Sequence, residues 1–415
     1  MAGVAQLVEL RIVIPMPLSN ISDLTPKTMQ TNADKALECR QMGGRAPQAL
    51  QLQGLRGGRI GFESPFSHHD IKQKMQKRII LVFLTLILWK TGISGQELKS
   101  QSPLVIAHRG ASGYLPEHTL AAVALAHGLG ADFIEQDVIL TQDNQPVVLH
   151  DLTLDATTNV NNLFPGRNRK NGLFYAIDFT LAELKKLSVR ERGNRSGTES
   201  KYPRRFPGKS ALFKIITLQE EIELIQGMNK STGRNVGLFV ELKDPEWHRQ
   251  EGKDLSAVVM KLLERYGYKT AKDRVYVESF SANELKRLRL EFETKLKLVQ
   301  LIGENRWRLS ETDFNRLLTA EGLAEVAAYA DGIGPWIKQI VGGNSFFGNP
   351  ELTSLVSDAQ SLGMKVFPYT IRSDALPGFS SSFEELLDIM FKQAKVDGVF
   401  TDFPDKVRSF LKLQI

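Results

Sequence analysis

From Pro103 onward, short apolar runs alternate with amphipathic stretches for about 300 residues. Val105–Ala107 and Phe133–Leu140 read as strands, with a helix over Leu120–Leu129 between them. Further strands are expected at Gly237–Val240, Val275–Val277, Leu296–Leu301, Gly332–Ile333, Lys365–Tyr369 and Val396–Phe400. Helical patterns fall between them, over Leu255–Tyr266, Ala282–Glu291, Leu323–Ala330, Leu352–Leu362 and Phe383–Ala394. Such alternation restricts the fold to a parallel sheet covered by helices, either closed as a (β/α)₈ barrel or open and doubly wound. The stretch Leu152–Phe213 breaks the pattern. It is rich in Asn, Arg, Gly and Pro and reads as an insertion on the catalytic face.

The polar residues at the strand ends favour the barrel, because that fold builds its chemistry from several strand termini. Val-Ile-Ala leads into His108-Arg109-Gly110, Ala131–Ile134 into Glu135-Gln136-Asp137, Val-Val-Leu into His150-Asp151, and Val236–Val240 into Glu241-Leu242-Lys243. Residues i and i+2 share a strand face, so Glu135 pairs with Asp137 and Glu241 with Lys243. Three carboxylates crowded in a barrel mouth repel one another unless a cation lies among them. All-oxygen ligation points to a hard divalent ion, calcium or magnesium. Arg109 offers a bidentate fork to a phosphate, and Gly110 allows close backbone approach. His108 and His150 suit a general acid and base. His118, His127 and His248 fall in helical or loop segments and are read as structural or peripheral. Gly332-Ile333-Gly334 lacks the third glycine of a dinucleotide fingerprint, which argues against the open sheet.

The formal charge of +6 suggests a nucleic-acid partner only until it is located, since all of the excess lies before Thr91. The chain from there on is formally neutral, which disfavours a phosphate-backbone binder. The single cysteine, Cys39, is also upstream, so the body has no disulfide and no cysteine ligand. Met75-Gln76-Lys77-Arg78 followed by the apolar run Ile79–Trp89 and the small residues Gly92 and Ser94 has the form of a cleaved signal peptide, spanning 75–95. The apolar run is too short to span a bilayer, so no stable membrane anchor is expected. Residues 1–74 show no sustained periodicity and read as a mis-assigned or disordered leader, with translation expected to begin near Met75. The expectation is a periplasmic protein whose mature N-terminus lies near Gly95 or Gln96. N-terminal sequencing of the native protein checks it, and an intact Met1 end would refute it.

With these residues in hand, the chain resembles the glycerophosphodiester phosphodiesterase family, most closely its bacterial periplasmic branch. The resemblance runs from about Leu104 to Leu411 and is carried by Ile-Ala-His-Arg-Gly-Ala-Ser-Gly-Tyr-Leu-Pro-Glu-His-Thr (106–119), Glu-Gln-Asp (135–137) and Val-Leu-His-Asp (148–151). Tyr-Ala-Ile-Asp-Phe-Thr (175–180), Val-Glu-Leu-Lys (240–243) and Phe-Thr-Asp-Phe-Pro-Asp (400–405) follow in order. It implies a TIM (β/α)₈ barrel over 103–413, with a small inserted domain after the second strand, about 152–213. It also implies His108 and His150 as the acid–base pair, and Glu135, Asp137 and Glu241 as ligands of a divalent cation, Ca²⁺ before Mg²⁺. Arg109 and Lys243 would bind the phosphoryl group.

The expected partner is a small glycerophosphodiester, with no nucleic acid; a homodimer is compatible with the sequence. Two rivals remain. A phospholipase acting on intact lipids would need an apolar docking rim, and the insertion is mostly polar and basic. A non-catalytic surface binding protein on the same barrel would have no use for both imidazoles.

Overall fold

The chain divides into two units, 1–94 and 95–415. The computed structural model describes residues 102–194, 199–207, 212–344 and 350–413, all within the second unit. The leader and the signal-like segment lie outside the described residues. No described helix is long and apolar enough to cross a membrane.

Eight parallel strands form the body: β1 (Leu104–Ala107), β2 (Phe133–Leu140), β4 (Gly237–Leu242), β5 (Val275–Ser279), β6 (Lys297–Ile302), β7 (Gly332–Pro335), β10 (Lys365–Val366) and β11 (Gly398–Thr401). Between them come β3 (Pro146–Val148) and an antiparallel ribbon of β8 (Val341–Asn344) and β9 (Pro350–Leu352). Hydrogen-bonded neighbours run β10-β7-β6-β5-β4-β2-β1-β11. The two ends then meet: Asp397 N–H donates to Val366 O, Phe400 N–H to Pro368 O and Ile371 N–H to Phe400 O, at 3.0, 3.0 and 2.8 Å. This is the TIM barrel that the strand-end residues favoured over an open sheet and that the family resemblance implied.

Among the described residues each barrel strand is followed by a covering helix, with shorter helical turns between: α1 (Leu120–Gly128), α2 (Leu218–Thr232), α3 (Leu255–Arg265), α4 (Ala282–Leu290), α5 (Ala320–Ala327), α6 (Leu355–Ser361), α7 (Phe383–Asp388) and α8 (Pro404–Lys412). Their starts are written locally. The Thr119 hydroxyl caps α1 by accepting from Ala122 N–H, and Thr217 and Glu220 form a reciprocal capping box on α2. Leu285 and Leu288 on α4 and Val259 and Leu263 on α3 are fully buried against the sheet, in the larger of the cores. Inside the barrel, Ile106, Phe133, Phe239, Tyr276, Val299, Phe367 and Phe400 make a second core. Phe239 stacks on Tyr276 at 4.6 Å and meets Phe133, Phe367 and Phe400 edge-on. The interior is therefore packed, not open.

One expectation is corrected. The run leading to His150 is not a barrel strand: β3 pairs antiparallel with the end of β2, Val138 opposite Val148. The five residues between β2 and β3 are too few for a parallel crossover. The segment that follows packs on a third cluster, where Phe174, Phe179, Leu184 and Leu187 meet Ile139 of β2 and Val147 of β3. It returns at Ile216, whose carbonyl accepts from Val148 N–H at 2.9 Å.

Candidate active site

At the end of β1 the chain turns sharply, with Arg109 and Gly110 both in left-handed backbone, φ 62° and 79°. A Cβ on Gly110 would lie 2.8 Å from the Ala122 carbonyl carbon, so this turn requires glycine. Within the turn Arg109 N–H donates to Glu135 Oε2 at 2.6 Å. The Arg109 guanidinium reaches Glu117 at 3.2 Å and Asp137 at 3.3 Å.

The mouth of the barrel holds a cavity of about 270 Å³ lined by His108, Arg109, Glu135, His150, Glu241 and Lys243 together. Of the seven residues expected from the sequence, only Asp137 is not on its wall. It lies behind, 1% exposed, in contact with Arg109, Lys243 and His118. Phe280, Trp307, Trp336 and Tyr369 line the same cavity with apolar surface. Lys201, Tyr202, Arg192 and Arg205, from the segment after β3, border a smaller adjoining recess with His108 and His150.

Each histidine is tied to a carboxylate through Nδ1. His108 Nδ1 lies 2.7 Å from Asp402 Oδ1, and His150 Nδ1 lies 2.5 Å from Asp151 Oδ1. Arg372 and Arg205 donate to the other oxygen of Asp402 at 2.6 and 2.7 Å. Arg192 donates to Asp151 at 2.6 Å and holds Glu117 with its other nitrogens. Burial first, and then the Arg109 charge, bring His108 down to about 4 against the pull of Asp402. Burial, Arg109 and Lys243 lower His150 likewise. Both rings are thus neutral near pH 7. A proton on Nδ1, assigned by the carboxylate, leaves the Nε2 lone pair free to act as a base. Burial works against Asp402, yet Arg372, His108 and Arg205 hold its carboxyl well below the usual range.

The acids sort into two kinds. Asp137 accepts from His118 at 2.7 Å and sits near Lys243 and Arg109, and despite burial these two cations and the hydrogen bond keep its carboxyl well below the usual range. Glu135 and Glu241 go the other way. Burial and then the Asp137 charge push both up, Glu241 to about 8 even with Lys243 at 2.7 Å. Uncompensated buried carboxylates of this kind are what a divalent cation would relieve. Two sets of ligand atoms lie within 4.8 Å of one another: His118 with Glu135 and Asp137, and Glu135 with Glu241 and Glu278. The residues fit a cation, and Glu135 belongs to both sets.

His118, expected to be structural or peripheral, is 2% exposed and bonded to Asp137, which fits the first of these. Asp151, Asp402, Glu278, Glu117, Arg192, Arg205 and Arg372 join the site without having been singled out in the sequence. Glu278 and Asp402 carried the same mark as the residues that were found, an acid just past an apolar run. Arg192 and Arg205, in the segment after β3, carried none.

Known proteins resemble this chain over most of its length. The model of the glycerophosphoryl diester phosphodiesterase family matches residues 108–406. A glycerophosphodiester phosphodiesterase of Haemophilus influenzae is 41% identical over 78% of this chain and 93% of its own length. One of Treponema pallidum is 38% identical over 74% and 91%. Among solved structures, a phosphodiesterase of Oleispira antarctica, in complex with the product sn-glycerol-3-phosphate, shares the fold. It has a TM-score of 0.52 and 24% identity, covering 75% of this chain and 97% of its own.

Proposed function

The chain belongs to the glycerophosphoryl diester phosphodiesterase family, and from that premise we propose that it hydrolyses glycerophosphodiesters such as glycerophosphocholine and glycerophosphoethanolamine. The products are glycerol 3-phosphate and the free alcohol. The observation that carries the reading is the pair of imidazoles on one cavity, each anchored at Nδ1 by its own carboxylate. Two such groups are needed when one bond to phosphorus forms and another breaks.

Arg109 and Lys243 bind the phosphoryl oxygens, Arg109 through its planar fork. One histidine takes a proton at Nε2 from the attacking oxygen as it bonds to phosphorus; the attacker is either water or the glycerol 2-hydroxyl, and in the latter case a water then opens the cyclic phosphate to glycerol 3-phosphate. The second histidine, which has gained a proton, delivers it to the departing alkoxide as the phosphorus–oxygen bond to the alcohol breaks. The substrate's own negative charge offsets Arg109 and Lys243, and so favours the protonated form of the second ring. Glu135, Asp137 and Glu241 would hold a divalent cation, Ca²⁺ in preference to Mg²⁺, which when bound supplies positive charge to the phosphoryl oxygens. Phe280, Trp307, Trp336 and Tyr369 give the carbon skeleton of the substrate an apolar wall.

Glycerophosphocholine offered to the purified protein, with and without EDTA, tests the reading. Turnover is expected to stop on chelation and to return with calcium. Full activity in metal-stripped protein would remove the cation from the mechanism, and no turnover under any condition would remove the function.

A further inference from the structure

β4 and β5 run in parallel register with Glu241 beside Glu278, so the two side chains project to the same side of the sheet. That side is the barrel mouth, and both residues line the catalytic cavity. Glu278 is 1% exposed, and its Oε2 has no hydrogen-bond partner among the described residues. A buried carboxylate oxygen left in that state is costly, and in a native site it calls for a partner. Its nearest companions are further acids. Ligand atoms of Glu135, Glu241 and Glu278 all fall within 4.8 Å of one another, the spacing of donors around one ion.

Among the described residues no ion pair reaches Glu278. Arg109 is directed to Glu117 and Asp137, while Lys243 contacts Glu241 and Asp137.

We propose that Glu278 is a ligand of the active-site divalent cation, completing with Glu135 and Glu241 a cage of glutamates that favours calcium. The inference rests on the cation-dependent reading above and adds a residue to it. A further carboxylate suits calcium, which takes six to eight oxygens, better than magnesium, which keeps most of its waters.

Calcium and magnesium titrations by calorimetry on the metal-stripped, full-length protein test it. Glu278→Gln is expected to weaken calcium binding by about tenfold or more and to narrow the preference for calcium over magnesium. The metal-free melting temperature of this variant is expected at or above that of wild type, because a neutral amide relieves crowding among acids. A purely structural role would lower it instead. Glu278→Asp keeps the charge but draws it back, and is expected to bind calcium more weakly than wild type; it replaces the Gln variant if that protein does not fold. Wild-type calcium affinity and selectivity in a folded variant would overturn the assignment of Glu278 while leaving the cation in place. If wild type itself binds no divalent ion, the cation-dependent reading fails, and the Glu278 proposal with it.

Discussion

His108 and His150 differ in how they are held, and this difference is open to measurement. The His108 side chain is 11% exposed and its carboxylate partner is clasped by two arginines, whereas the His150 side chain keeps 32% of its surface open. Replacing either by alanine is expected to lower kcat by about 10²–10⁴ with the fold retained. A p-nitrophenyl ester, whose leaving group needs no proton, should rescue only the variant that has lost the general acid, and steady-state kinetics with both substrates decides which it is. Asp402→Asn should cost up to about 10⁴ in kcat, because an amide can hold His108 in the wrong tautomer. His108 also contributes a pH dependence of stability. Its pKa falls from 6.5 to about 4 on folding, so between these values the unfolded chain binds more protons. Its contribution is present above pH 6.5 and is lost as the pH falls toward 4. Urea denaturation at pH 7 and pH 4.5, in wild type and His108→Asn, should show the stability gap between them shrinking on acidification. Among these residues, those legible in sequence were the ones placed by their own strand. His108, Glu135, Asp137, Glu241 and Lys243 each sit at or inside the end of an apolar run, and period-two spacing gave them their facing. Glu278 carried the same signal but had no second charged residue two positions along, and without the neighbouring strand's register it looked solitary.

At the scale of the element, β4 shows how closely the barrel interior is drawn. A Cβ on Gly237 would come within 2.3 Å of the Phe133 ring and 2.5 Å of the Arg274 carbonyl. Gly237→Ala should therefore destabilise the protein by about 1–3 kcal/mol through overpacking, as read by denaturant titration, while activity per folded molecule changes little. Most strands could be anticipated because buried parallel strands are continuous apolar runs, and Phe133–Leu140 was found with its observed ends. The direction of β3 was not, since apolar content says nothing about strand polarity. The signal that existed was the length of the link from Leu140 to Pro146. The expected strand over Lys365–Tyr369 is regular only at Lys365–Val366, because Pro368 has no N–H to give; its carbonyl instead accepts from Phe400.

In the molecule as a whole, the barrel and the segment after β3 meet through arginines. Arg192 links Asp151, beside His150, to Glu117, and Arg205 links Asp402 to Asp374. Arg192→Met should loosen Asp151 and with it His150, lowering kcat by up to about 10²-fold, more than any change in KM. These bonds span 75 and 197 positions of sequence for Glu117 and Asp402, and nothing local foretells them. The stretch expected as an insertion stood out as a lapse in periodicity, and nothing in it announced the arginines that reach the site. The hydrogen bond from Val148 to Ile216 gives that segment a further meaning. Where a loop leaves and re-enters a scaffold through adjoining backbone, its closure is already made, and doubling its length costs only about 0.6 kcal/mol. By this term alone, the stretch of that span beyond Asp151 can change in length at little entropic cost to the barrel.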